Sequence, residues 1–341
     1  MEPKTIAVVL AGAVARGAFE AGVIQALAES NVQIVRIIAA SSGALNGALL
    51  ASAVRNGEVK AAASALRALW IDHASWTEVF HANLHDLVHG EGISDQRKLL
   101  ALLRDHIQPS QPAQPVAINL RIVVAPLQGT ASQIGDGAAT TYEAIREFDG
   151  EAFADQDGLE AMFVAATASA AFPIVFAPVA LAGLGPCIDG GTVNNTPIKW
   201  ALGGDIGKSL DAVVVVSTSV EDATAPVDLH GIGLVGHLAE MLIDERLYRD
   251  LHEASDVNDA LAALDKLVAA GQISDAQRGL VLGSLGWADR RPIELVRIRP
   301  VEALSGNAFS GFFDRALRAE LLEAGYQRGL TVLSALGWLD E

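Results

Sequence analysis

The sequence is short of several things, and each shortage excludes something. It holds one cysteine, Cys187, in 341 residues. No internal disulfide can form, and a lone thiol suits a reducing compartment, so a cytoplasmic protein is expected. Positive charge is scarce: 24 Lys and Arg against 41 Asp and Glu leave a net charge of −17. Nucleic-acid phosphates would be repelled over most of such a surface, and no Lys/Arg cluster offsets this. The same charge disfavours passive adsorption to an anionic bilayer, so contact with lipid has to be local and largely apolar. No apolar run reaches the roughly 18 residues of a membrane span. Even Val213-Val214-Val215-Val216 is closed off by Asp211 and Ser217. Met1-Glu2-Pro3-Lys4 leads straight into a strand pattern, so no signal peptide is expected. Repeats and low-complexity tracts are absent, and the stretches 108–115 and 222–227 read as loops rather than linkers.

What is present alternates between two periods. Residues 5–11 (TIAVVLA) read as a strand, a small-residue loop opens at Gly12, and 16–30 read as a helix. A second strand over 33–40 runs into a helix over 44–52. This βαβα order predicts an α/β fold with a mostly parallel central sheet flanked by helices in three layers. Further strands are expected at 117–125, 175–181, 186–188, 211–217 and 294–299, with edge strands at 131–134 and 140–141. Helices are expected at 61–69, 159–170 and 312–336. Strands that look like members of one sheet lie on both sides of the two loops. The expectation is therefore one domain, residues 1–341, with helical insertions near 70–107 and 231–286.

The junction Ala39-Ala40-Ser41-Ser42-Gly43 carries the most chemistry. A serine on a sharp strand-to-helix turn is pushed out of the packed interior. Backbone N–H groups of the turn point toward it, and the helix N-terminus favours developing negative charge. Acyl transfer is the chemistry that such a placement suits. Ser42 is adjacent, but centring the turn on it puts Ala40 and Ala44 at the flanking positions. Centring on Ser41 puts Gly43 in the right place. The loop from Gly12 through Ala13, Val14, Ala15 and Arg16 to Gly17 joins the first strand to the first helix. Small residues there let N–H groups approach a ligand oxygen. A dinucleotide loop is the rival, but the spacing is not G-x-G-x-x-G, and the second strand does not end in an acidic residue. Asp189-Gly190-Gly191 reads either as an ordinary Asp-Gly turn or as a carboxylate held at a strand end.

Together, Gly12–Gly17, Ala39–Gly43 and Asp189–Gly191 resemble the ordered motifs of the patatin-like phospholipases, which are lipid acyl hydrolases. That family carries a Gly-rich segment ending in Arg/Lys-Gly, then G-x-S-x-G, then D-G-G/A. Ala168-Ser169-Ala170-Ala171-Phe172-Pro173 with Phe176-Ala177-Pro178-Val179 resembles a fourth family stretch, and Asn194-Asn195-Thr196-Pro197 also fits. The resemblance spans about residues 5–200 and implies a Ser–Asp dyad. Ser41 becomes the nucleophile, Asp189 the base, and N–H groups of Gly12–Gly17 the oxyanion hole. The implied substrates are fatty-acyl esters of lipids, met at a membrane or micelle surface, with no metal or organic cofactor. Partial burial would raise the aspartate toward useful basicity. Three positions depart from the family pattern. Ala39 stands for the first glycine of the serine motif, while Ala13 and Val14 stand for glycines of the loop. An acyltransferase of related architecture, or a degenerate lipid- or partner-binding protein, are the alternatives.

His81, His85 and His89 would share a helix face, and a histidine stripe is favoured over a metal site because no H-E-x-x-H occurs. Trp70, Trp76, Phe80 and Leu84 suggest an amphipathic patch, either plain core or an acyl pocket or lid. Cys187 reads as a small buried hydrophobe.

Overall fold

The computed structural model describes residues 2–82, 94–134, 137–173, 175–220, 231–288 and 290–339. His85, His89 and Leu84 lie outside them. The chain opens with β1 (Lys4–Leu10), α1 (Gly17–Leu27), β2 (Val32–Ala39), α2 (Ser42–Asn56) and α3 (Val59–Ala68). An amphipathic helix, α4 (Arg97–His106), precedes β3 (Asn119–Pro126), β4 (Ala144–Phe148) and α5 (Gln156–Ser169). Two short strands follow, β5 (Val179–Leu181) and β6 (Gly185–Asp189), and then β7 (Ala212–Val216). The long α6 (Gly231–Ala269), α7 (Asp275–Ser284), β8 (Glu294–Ile298) and α8 (Arg315–Ala335) complete it.

Eight strands form one sheet in the order β8-β7-β1-β2-β3-β6-β5, with β4 also on β3. From β8 to β3 all pairings are parallel; β4, β5 and β6 are antiparallel additions. The inner strands are buried on both faces, which is why they read as continuous apolar runs. Ile6, Val8 and Leu10 face the larger core beneath α1, α2 and α5. Ala7 and Val9 face a thinner layer with Ile198, Ala201 and Leu247. The mostly parallel, helix-flanked sheet agrees with the expectation from the sequence.

The strands expected at 131–134 and 140–141 do not join this sheet. They pair with each other as a separate hairpin, Thr130–Ile134 against Gly137–Thr141. The edge of β3 that they would need is taken by β4, whose mixed sequence AIREF gave no strand signal. His81 departs from its expected helix as well. Phe80 is extended, and His81-Ala82 pairs with Ser94-Asp95.

Helices α1 and α8 approach until their backbones touch. A Cβ on Gly22 would lie 1.9 Å from the Leu322 carbonyl oxygen, and one on Gly325 would lie 1.9 Å from that of Phe19. The closing helix is thereby packed against the helix that follows the Gly12–Gly17 loop.

Candidate active site

Helix α2 starts at Ser42, two residues earlier than its sequence suggests, which leaves Ser41 as its N-cap. Ser41 has φ 53° and ψ −131°. Only it and Val14 are non-glycine residues at positive φ among the described residues. Such a conformation costs on the order of 1–3 kcal/mol and persists where surroundings over-determine it. Gly43 is required beside it, because a Cβ there would sit 2.5 Å from the Leu10 carbonyl oxygen. Ala39, in place of the motif's first glycine, is accommodated by the opposite element. Its methyl faces Gly47 of α2, where a Cβ would come within 3.2 Å. The strand gained a methyl at a place where the helix has none.

The pairing of β3 explains how an aspartate far along the chain reaches Ser41. Ile122 pairs with Ala39 of β2 and with Arg146 of β4, so β2 and β4 hold opposite edges of β3. Val124 pairs with Asp189 of β6 and with Ala144 of β4, so β6 is also opposite β4. Strands β2 and β6 therefore share one edge of β3, end to end, with their C-termini facing. Ser41 Oγ donates to Asp189 Oδ2 at 2.6 Å. The other oxygen, Oδ1, accepts from Gly191 N–H at 2.7 Å. Asp189 is 2% exposed. Burial pushes its carboxyl up to about 7, outweighing the hydrogen bonds from Ser41, Gly191 and Thr192 that pull it down.

Residues 169–171 brace both sides. Ser169 Oγ accepts from Ser41 N–H at 2.9 Å, Ser169 O from Gly190 N–H at 3.0 Å, and Ala171 O from Asp189 N–H at 3.0 Å. Asn195 does the same for the loop: its Oδ1 accepts from Gly12 N–H at 2.8 Å and its Nδ2 donates to Gly12 O at 2.9 Å. Ser169 and Asn195 lay inside stretches that the sequence flagged, but without a role.

The loop itself differs from an open cradle. Its N–H groups are engaged at Gly12 by Asn195, at Ala13 by Ser42 Oγ (3.0 Å), at Ala15 by Ala308 O (3.0 Å) and at Arg16 by Ala13 O (2.9 Å). Gly17 N–H turns back to Val14 O. Among the described residues, no hydrogen bond engages the N–H groups of Val14 or Ser42. Of the two loop positions where glycine is replaced, only Val14, at φ 51°, takes a conformation that favours glycine; Ala13 sits at φ −146°. Arg16 reaches outward, donating from Nη2 to Gly306 O at 2.7 Å.

Ser41, Ser42 and Val14 open onto a cavity whose other walls are hydrocarbon. They include Leu45, Leu69, Trp70, Phe80, Leu103 and Phe176. Of the aromatic patch seen in the sequence, Trp70 and Phe80 face the cavity, while Trp76 stacks behind Phe80 at 4.0 Å. Cys187 is fully buried on the aspartate's own strand, and burial pushes its thiol up. Among the described residues no group of three or more His, Cys, Asp or Glu is placed to hold a metal ion.

Trp70 is held from behind by buried polar groups that the sequence did not reveal. Its Nε1 donates to Asn46 Oδ1 at 2.8 Å, and Asn46 Nδ2 donates to Glu20 Oε2 at 3.0 Å. Glu20 is fully buried, and desolvation raises its carboxyl well above the usual range despite the Asn46 bond. The folded state thus retains a proton that the unfolded chain releases. Stability attributable to Glu20 falls as pH rises above the ordinary carboxylate value. Glu20→Gln removes that dependence. Its melting temperature, relative to the wild type, is expected to be higher at about pH 8 than at about pH 5. Differential scanning calorimetry at the two pH values checks this; an equal offset at both contradicts it.

The fold is a parallel-centred α/β sheet in which a serine on a strand-to-helix turn at one strand end is hydrogen-bonded to a buried aspartate at another. The chain belongs to the patatin-like phospholipases, a family of lipid acyl hydrolases, whose family model matches residues 8–202. No curated protein matches the chain. Among solved structures it is similar to VipD from Legionella pneumophila, at 12% identity and a TM-score of 0.42, over 98% of this chain and 67% of that one. Among the described residues no helix is long and apolar enough to cross a membrane.

Proposed function

We propose that this chain hydrolyses fatty-acyl esters of lipids through a Ser41–Asp189 dyad. The observation that carries the reading is the 2.6 Å hydrogen bond from Ser41 Oγ to a buried carboxyl, with Ser41 lining a cavity otherwise walled by hydrocarbon. Asp189 takes the hydroxyl proton as Oγ attacks the ester carbonyl. The N–H groups of Val14 and Ser42, which line the cavity beside Ser41, meet the oxyanion; one such donor is typically worth about 3–4 kcal/mol. Collapse expels the alcohol, which leaves with the proton from Asp189. The acyl-Ser41 ester is then cleaved by water that gives its proton to the same carboxylate.

Hydrolysis is preferred to acyl transfer because transfer chemistry of this architecture needs a histidine beside the serine. Among the described residues no histidine hydrogen-bonds Ser41 or Asp189. The acidic surface fits a lipid contact that is small and apolar. Phe313, 68% exposed and stacked on Trp76 at 5.0 Å, adjoins the cavity-lining Phe312 and suits that contact.

A fluorophosphonate probe tests the nucleophile directly. Folded wild type is expected to be labelled at Ser41, with loss of the label in Ser41→Ala and retention of Ser42. Absence of labelling in folded protein would move the reading to lipid binding without catalysis. Dominant transfer to an added alcohol would move it to an acyltransferase.

A further inference from the structure

Residues 304–312 lie beyond the matched 8–202 segment, yet they complete the site. This strap runs from β8 toward α8 across the Gly12–Gly17 loop. It is bonded to that loop twice, by Ala15 N–H to Ala308 O at 3.0 Å and by Arg16 Nη2 to Gly306 O at 2.7 Å. Its far end is fixed by Arg318, which is 3% exposed and donates to Gly311 O at 2.7 Å and to Ile71 O at 2.9 Å. Within the strap, Asn307 Oδ1 accepts from the N–H groups of Phe309 (2.9 Å) and Ser310 (3.0 Å), which fixes the turn.

Two of its side chains form cavity wall. Phe309 and Phe312 line the same space as Ser41. Phe309 packs edge-on against Phe172 at 5.8 Å, and Phe312 against Phe80 at 5.0 Å. Phe312 is 8% exposed and packs with the main apolar core around the cavity. Removing the Phe312 ring therefore takes away part of the wall and lengthens the space open to an acyl chain. A wall pinned at both ends does not yield easily to a longer chain, and a wall without polar groups discriminates only by length and bulk.

We propose that the strap sets the acyl-chain length this protein accepts, with Phe309 and Phe312 as the specificity-determining residues. The inference rests on the acyl-hydrolase reading for its substrate. The family-matched segment supplies Ser41 and Asp189, while the strap limits how far the acyl chain can extend from them. Because the strap is bonded at Ala15 and Arg16, next to Val14, a chain that presses on it also shifts an oxyanion donor. Overlong chains are then penalised in kcat as well as in KM.

The test is a series of p-nitrophenyl esters from butyrate to palmitate, with kcat and KM measured for wild type, Phe312→Ala, Phe309→Leu and Phe312→Trp. Phe312→Ala is expected to raise the palmitate-to-butyrate ratio of kcat/KM about tenfold or more, the scale on which apolar pockets discriminate. Phe309→Leu shifts it the same way by less, and Phe312→Trp shifts it toward short chains. A uniform fall across the series, or an unchanged profile in all folded variants, overturns the proposal. If Phe312→Ala does not fold, Phe309→Leu and Phe312→Trp decide by their opposite directions. If the wild type turns over no ester, the hydrolase reading fails separately. The strap is then judged by displacement of a fluorescent fatty acid with unlabelled acids of the same lengths. Phe312→Trp must weaken the long acids selectively, and equal weakening at every length refutes the assignment.

Discussion

Asp189→Asn is expected to lower kcat for ester hydrolysis by roughly 10²–10⁴-fold, the usual span of a lost general base, with KM little changed. The amide still fills the space and still accepts the Gly191 N–H bond, but it cannot hold the proton of Ser41. The pH profile of the wild type is the companion measurement. Burial brings the Asp189 carboxyl up to about 7, so kcat/KM should climb through neutrality and level off above it. A profile already flat from about pH 5 upward would show a base with an ordinary aspartate value and would contradict this account. Stability should move the other way. Between the ordinary value and about 7 the unfolded chain loses this proton first, so folding weakens as pH rises, and the cost is complete above about 7. The Asn variant escapes that cost and should be more stable relative to wild type at about pH 8 than at about pH 5. An inactive variant that gains stability at alkaline pH is the combined signature of a buried carboxylate kept for chemistry.

Gly325→Leu is expected to be among the most damaging single changes outside the site. Its Cβ would start 1.9 Å from the Phe19 carbonyl oxygen, a contact made by backbone, which cannot swing aside. Helices α1 and α8 would have to separate along their crossing, at a cost of about 3 kcal/mol or more. Chemical denaturation should show a large drop in midpoint, or no folded protein at all. Gly279→Ala in α7 is the control. Nothing lies within 4 Å of the position that its methyl would take. That change should stabilise by roughly 0.5–1 kcal/mol through helix propensity alone. Similar behaviour of the two variants would remove the argument from close packing.

What the sequence disclosed, and what it hid, follows the range of the interactions. The serine elbow was legible because a strand, a turn and a helix are contiguous, and Gly43 marks the close approach to β1. The parallel strands were legible because burial on two faces leaves unbroken apolar runs such as 212–216. β4 was not, because a strand with one half-exposed face and two charges in AIREF carries no such run. The link between Ser41 and Asp189 came through family resemblance, since their meeting depends on two strands sharing an edge of a third. The clamps formed by Asn195 on Gly12 and by Ser169 on Ser41 span 183 and 128 positions, and no local pattern encodes them. Ala39 and Gly47 show the same limit at short range. The alanine looked like a defect in the motif until the helix opposite was seen to lack a side chain. Glu20 is enclosed where α1 meets α2, and its partner Asn46 lies 26 positions away, so nothing local marks it as buried.

The head-to-head arrangement of β2 and β6 has a consequence for how this site can change over time. Neither strand touches the other laterally, so the gap between hydroxyl and carboxyl is measured out along β3, which contributes no side chain to the reaction. One residue inserted between Ile122 and Val124 would displace the carboxyl by about 3.3 Å and turn the strand's pleat over. Length in that segment is therefore constrained by the chemistry, even where composition is not. Drift can exchange one apolar side chain for another of similar volume there, but it cannot alter the count.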